Sequence, residues 1–241
     1  EEAERVTGQE ERHSATVQLL GKMLAIPEPK RMESFDISNI SGTDIVAGMV
    51  VFQNAKPRKK DYKRFKLEGM SGQDDYGSMR QVIIRRFAHY QAGDAGFDIA
   101  PDLLLIDGGV NHARVAVEAL ESLQLSFPVF GMVKDDRHRT RALVTPEGAE
   151  IGIDRNQAIF SLIGNIQEET HRFAIEFHRE RRDKQMRKSQ LDDIEGLGPV
   201  RRKKLLDRFG TIKAIKAADL EDIAAVVPRN VAENIKRKLG E

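Results

Sequence analysis

Three groups far apart in this 241-residue chain are of types that do chemistry together: Asp36, Asp107 and His171. Asp107 ends the apolar run Leu103 to Ile106 and is followed by Gly108 and Gly109, the pattern of a strand buried on both faces with an acid at its carboxyl end. Open α/β sheets put their reactive groups at that end, although an Asx turn would use the same Asp-Gly-Gly residues for shape alone. Asp36 lies within a second strand, Met32 to Asn39. His171 lies on a long helix whose apolar stripe is expected at Ile159, Ile163, Ile166, Phe173 and Phe177; it falls on the flank of that stripe, where a side chain can face a cleft. A core-edge histidine has the same spacing, and His178, seven residues on, is a competitor. Two carboxylates side by side are costly unless a cation neutralises them. Oxygen donors in a chain without cysteine favour Mg2+ or Mn2+ over Zn2+. Such an ion beside a phosphodiester polarises the phosphoryl group and acidifies water, the logic of a metal-dependent nuclease.

The elements needed to bring these groups together can be read in order. Residues 1–24 form a charged, weakly amphipathic helical arm (Val17, Leu19, Leu20, Leu24), followed by the stiff connector Ile26-Pro27-Glu28-Pro29. After the Asp36 strand come strands at Asp44 to Phe52 and Tyr62 to Leu67, with turns at Ser41-Gly42-Thr43 and Lys56-Pro57, which suggests an antiparallel meander. The segment Ser71-Gly72-Gln73-Asp74 has capping-box spacing and opens a helix whose apolar face holds Met79, Val82, Ile83 and Phe87. The Asp107 strand, a helix to about Leu123, a strand at Phe127 to Val133, a hairpin around Glu147-Gly148 and a helix from about Asn156 toward Arg182 complete the order. Written out, it is β-β-β-α-β-α-β-α with a late hairpin. That is an α/β fold of ribonuclease H-like type, a mixed sheet flanked by helices, in which the first strand and the first crossover strand are neighbours. Asp36 and Asp107 are then expected side by side.

Composition narrows the class. Hydrophobic residues at 40%, charged residues at 32% and no long apolar run exclude a membrane-spanning helix and point to the cytoplasm. Zero cysteines exclude disulfides and thiolate metal sites. The net charge is only +1, but the layout is uneven. Five Glu face two Arg in the first twelve residues, whereas six basic residues face two acidic ones from Arg179 to Lys188. A local basic stripe suits a polyanion partner. Lys134, Arg137, His138, Arg139 and Arg141 form a second basic patch after a strand near the site; it is either a solvated turn or, as favoured here for Lys134, Arg137 and Arg139, a grip on a phosphate backbone.

The tail has a different character. Ile194-Glu195-Gly196-Leu197-Gly198-Pro199 is a turn with two spaced glycines leading into a helix with Arg201, Arg202, Lys203 and Lys204. Glycines let phosphate approach the backbone, and amides at the helix start hold it without reading bases, so Gly196, Gly198, Arg201, Arg202 and Lys203 are expected to contact DNA. This is a helix-hairpin-helix signature. A second copy near Val227-Pro228-Arg229-Asn230-Val231 lacks its glycine and is expected to be structural. The expected division is 1–32 arm and linker, 33–186 ribonuclease H-like domain, and 187–241 a small all-α helix-hairpin-helix domain, with Arg179 to Gln190 as helix end and linker.

The segments FDIS (35–38), DDY (74–76), LLLIDGG (103–109), MVKDDRHRTRAL (132–143), HRFAI (171–175) and IEGLGPVRRKKLL (194–206) together resemble the carboxyl-terminal half of the UvrC family, from about Glu33 onward. The resemblance implies an endonuclease of bacterial nucleotide excision repair that makes the 5′ incision beside a lesion. It implies catalytic roles for Asp36, Asp107 and His171, with Asp75 as a further acid that has a helix cap as its other reading. It also implies damaged double-stranded DNA as substrate and UvrB as partner, with UvrA upstream. The absence of an initiator Met suggests a fragment, expected to be monomeric and unable to cut on the 3′ side. The alternatives are a catalytically silent nucleic-acid-binding scaffold of the same fold and an RNA-directed nuclease.

Overall fold

The computed structural model describes residues 2–40, 44–67, 74–135, 139–192 and 194–240. Ser71 to Gln73 and the basic-patch residues Arg137 and His138 lie outside them. After the helix α1 (Glu2–Leu24), the strands β1 (Arg31–Ile40) and β2 (Asp44–Gln53) pair antiparallel along their whole length. The chain reverses at Asn54 and Ala55, both left-handed with φ of 51° and 61°, a two-residue turn that matches the twist of paired strands. Lys56-Pro57, expected to be the turn, is therefore already the short strand β3 (Lys56–Pro57). A 3-10 turn leads to β4 (Lys63–Leu67), which pairs along the same edge of β2.

The rest alternates between helix and strand. The order is α2 (Asp75–Ala92), β5 (Leu103–Ile106), α3 (Val110–Ser122), β6 (Val129–Lys134), the hairpin of β7 (Thr140–Val144) and β8 (Glu150–Gly152), and α4 (Gln157–Asp192). The sheet runs β3-β2-β1-β5-β6-β7-β8, with β5 parallel to both β1 and β6. This is the mixed sheet flanked by helices that the sequence implied.

Strand alternation separates two cores. Phe35, Met49, Leu104 and Ile106 pack with Met79, Val82, Ile83 and Phe87 of α2. On the other face Met32, Val50, Leu103 and Leu105 pack with Ile159, Ile163 and Ile166 of α4 and with Val17, Leu20 and Leu24 of α1, so the end of the amino-terminal helix is built into the core. Along α4 the buried stripe continues through Thr170 and Ala174, and Phe173 sits at its edge. Phe173, expected on the stripe, is half-buried there, packed against the same core with its ring 5.1 Å from that of Tyr62. The helix also runs on to Asp192, ten residues past its expected end.

The chain divides into two units, Glu1–Glu176 and Phe177–Glu241. The second contains α5 (Pro199–Phe209), α6 (Ile212–Ala217), α7 (Leu220–Ala224) and α8 (Arg229–Gly240) around Leu197, Leu205, Ile215, Ile223, Val231 and Ile235.

Candidate functional site

The register of β1 and β5 decides where the acids go. Phe35 and Ile106 are the last paired residues, and the Asp107 amide donates to the Phe35 carbonyl at 3.0 Å. Asp36 and Asp107 follow one step later, so alternation puts both on the face of Ser34 and Leu105, the face covered by α4. Thr170 of α4 hydrogen-bonds Ser34 through their hydroxyls at 2.9 Å. One turn on, Ala174 rests on Gly48, which pairs with Asp36 across the hairpin. A Cβ on Gly48 would stand 3.2 Å from both Cα and Cβ of Ala174, tight enough that a side chain there would push the helix outward by a few tenths of an ångström. The result is His171 Nδ1 at 3.1 Å from Asp36 Oδ2.

One donor atom from each of Asp36, Asp107 and His171 lies within 4.8 Å of the others. The acids form the floor, with side chains 10% and 5% exposed, and the imidazole forms the rim at 59%. Lys134 Nζ stands 2.7 Å from Asp107 Oδ1 and 2.9 Å from Oδ2. The carboxyl of Asp36 is pushed up to about 6, first by burial and then by the charge of Asp107; the hydrogen bond and charge of His171 and the more distant Lys134 only partly oppose this. Two buried carboxylates with too little positive charge, beside an imidazole, suit a hard divalent cation in chemistry and spacing.

Asp75 is not one of the three. It is the exposed first residue of α2, while Asp74 is the cap, accepting from the Gly77 amide at 2.7 Å. The charge of Asp75 is instead felt by His112, a residue the sequence reading missed. Burial lowers the pKa of His112, and the charges of Asp75 and Asp107 oppose that effect. The Tyr76 ring lies 4.7 Å from the His112 ring. Of the basic patch, Lys134 and Arg139 border a hollow that ends at His171, and Arg139 is tied to Asp135 at 3.1 Å. The side chain of His178 lies outside the described residues. Gly48 and Thr170 were also missed; the one signal for Gly48 was a glycine inside the β-branched run DIVAGMVVF.

In the second unit Gly196 is left-handed at φ 81°, and a Cβ there would meet Val231 at 2.8 Å. The turn is tied by Arg201 donating to the Gly196 carbonyl at 2.8 Å and by Asn234 donating to that of Glu195 at 3.2 Å. Gly198 caps α5, and a Cβ there would meet nothing within 4 Å, so its backbone is open to solvent.

Comparison with known proteins places both units. Residues 21–175 match the family described as the UvrC RNAse H endonuclease domain, and residues 188–241 match the SAM-like helix-hairpin-helix tandem. The chain belongs to the UvrC family. UvrABC system protein C of Caldicellulosiruptor saccharolyticus is 47% identical over 213 residues, covering 88% of this chain and 35% of that protein. UvrABC system protein C of Streptococcus pneumoniae serotype 2 is 45% identical over 232 residues, covering 95% and 37%. This UvrC chain thus spans little more than a third of the length of these relatives. Human ENDOV superposes with a TM-score of 0.39 at 12% identity, over 72% of this chain and 98% of that one, a likeness too slight to add to the assignment. All three clustered residues fall within the UvrC endonuclease match. Among the described residues no helix is long and apolar enough to cross a membrane.

Proposed function

We propose that this UvrC chain is a DNA endonuclease of nucleotide excision repair, cutting on the 5′ side of a lesion with Mg2+ or Mn2+ held by Asp36, Asp107 and His171. The observation that carries it is the convergence of the three groups within 4.8 Å, with the Asp36 carboxyl pushed up to about 6, first by burial and then by the charge of Asp107. A divalent ion in that set would polarise the phosphoryl group and acidify water. His171, at the rim, would either complete the coordination or orient the water and the leaving oxygen. Lys134 counters Asp107 and, being partly exposed, can also turn to a phosphate at the mouth. Arg139 and, from sequence, Arg137 extend that grip, and Asp75 acts through the charge it puts on His112.

Gly196, Gly198, Arg201, Arg202 and Lys203 are proposed to hold duplex backbone through the open start of α5. The buried second hairpin (Val227, Val231) would support the first. The UvrABC system named for the relatives supports UvrB as the loading partner with UvrA upstream; damaged double-stranded DNA as substrate, a cytoplasmic location and a monomeric chain are proposed alongside it. Asp36→Asn tests the core of this reading. Cleavage of a lesion-containing duplex in Mn2+ should fall at least about a thousandfold while DNA binding persists, as expected when the group holding the charge stabiliser is lost. Equal cleavage by both proteins would reject the reading, and absence of cleavage by either would favour a silent scaffold. Competing RNA and DNA substrates separate the RNA-directed alternative.

A further inference from the structure

The outer face of α4 carries a glycine that the fold does not need. Gly164 is mid-helix, its φ is not left-handed, and a Cβ added there would meet nothing within 4 Å outside its own helix. Glycine is the poorest helix former after proline, so alanine would be favoured if nothing else occupied the space. The space is a hollow of about 430 Å3, within the size range of small-ligand sites. Gln157, Phe160, Ser161, Gly164, Glu168 and His171 recur at helical spacing along one wall, about 21 Å from end to end at 1.5 Å per residue. Lys134, Arg139 and Thr140 stand opposite. The hollow therefore begins at His171, the rim member of the Asp36–Asp107–His171 cluster, and leads away from it.

We infer that this hollow holds an unpaired nucleotide of the cleaved strand, next to the scissile phosphate. The inference rests on the nuclease reading above and adds a specific subsite to it. The volume admits a nucleotide but not a duplex. Lys134 and Arg139, paired in the free chain with Asp107 and Asp135, line the hollow together with the acid Glu168, and a phosphate-bearing strand would compete for these two cations. Phe160, half-buried against the core, leaves ring surface for a base to stack on. Gln157 and Ser161 offer hydrogen bonds at the exposed edge, and the bare backbone at Gly164 lets the sugar or base lie against the helix. Because an unpaired nucleotide costs least to extrude where pairing is already disturbed, the subsite favours cutting next to melted DNA.

The test uses the whole chain and a five-nucleotide single strand carrying one 2-aminopurine, its fluorescence titrated in chelator so that cleavage plays no part. Gly164→Leu should fold at least as stably as the parent protein yet bind the oligonucleotide at least tenfold more weakly. Phe160→Ala should weaken binding by about fivefold to a hundredfold, the range for one lost base-aromatic stack. Gly164→Ala provides a milder plug should leucine disturb folding, with a threefold or greater loss expected. In Mn2+, Gly164→Leu should also incise a bubble duplex more slowly. Unchanged oligonucleotide binding and incision in these variants would overturn the subsite while leaving the nuclease reading intact. Parent protein that binds the oligonucleotide through Gly164 but cuts nothing would overturn the nuclease reading and keep the subsite. Displacement of the oligonucleotide by an acidic peptide of equal charge, at equal concentration, would assign the hollow to a protein partner and overturn the proposal.

Discussion

Two carboxylates three residues apart on β1 have opposite fates. Glu33, fully buried on the α2 face, is held by Arg86 through Nε at 2.9 Å and Nη2 at 2.7 Å, and by Arg31 at 3.1 Å. Arg86 is itself completed by the carbonyls of Phe97 and Ile99 at 2.7 and 2.8 Å, and Arg31 by Asp61 at 2.7 Å. Asp36, on the α4 face, has an imidazole at 3.1 Å and a second acid beside it, and its carboxyl is pushed up to about 6. One strand thus carries a carboxylate whose charge is fully answered within the protein and another whose charge is not. The answered one fixes structure; the unanswered one is the acid proposed above to meet a divalent cation.

The contrast makes graded predictions. The largest effect should come from Arg86→Leu, which strands Glu33 in the interior and should cost about 3–5 kcal/mol in urea unfolding, with the Glu33→Leu/Arg86→Leu double variant recovering most of it. A loss below about 1 kcal/mol for the single variant would mean that Glu33 is not held as described.

Next comes the pH dependence of Asp36. Its folded pKa of about 6 lies above the usual 3.8, so the folded state binds this proton more tightly than the unfolded state does. The favourable contribution is present below about 3.8 and is lost as pH rises through about 6. In chelator, Asp36→Asn should match the parent protein near pH 4 and exceed it at pH 7 by up to about 3 kcal/mol, a hundredfold change in proton affinity at 1.36 kcal/mol per tenfold. Added Mn2+ should stabilise only the parent protein. A stability difference that is flat with pH would contradict the unanswered charge.

Gly48→Ala should cost about 1–3 kcal/mol by lifting α4 from the sheet. Because that shift carries His171 away from Asp36, calorimetry should show weaker Mn2+ binding as well, whereas Glu33 should be unaffected. Stability loss without a change in Mn2+ affinity would detach Gly48 from the site. The smallest effect is expected at Lys134. Replacing it with Gln should leave the fold intact and lower the log-log salt slope of DNA binding by about 1 if the lysine meets a phosphate.

Much of this was legible along the chain. The apolar run before Asp107, the strand around Asp36 and the crossover order made the two acids neighbours before any coordinates, and Gly196-Leu197-Gly198 announced the turn into α5. What failed was local in appearance but long-range in cause. Phe173 has the right helical spacing for the buried stripe but only its edge is reached, while the fully buried positions are Thr170 and Ala174, the latter lying against Gly48 of the sheet. The cap of α2 is Asp74, and the rest of the expected capping box, Ser71 to Gln73, lies outside the described residues.

The sequence by itself determined the kinds of element and the residues able to do chemistry, because periodicity, caps and turn residues act over a few neighbours. Only the tertiary structure decided which acid is answered and which is left open. Arg86 reaches Glu33 across 53 positions, and Thr170 meets Ser34 across 136. Contacts at that separation follow from how helices pack on the two faces of a sheet, and the pattern of a single strand does not contain them.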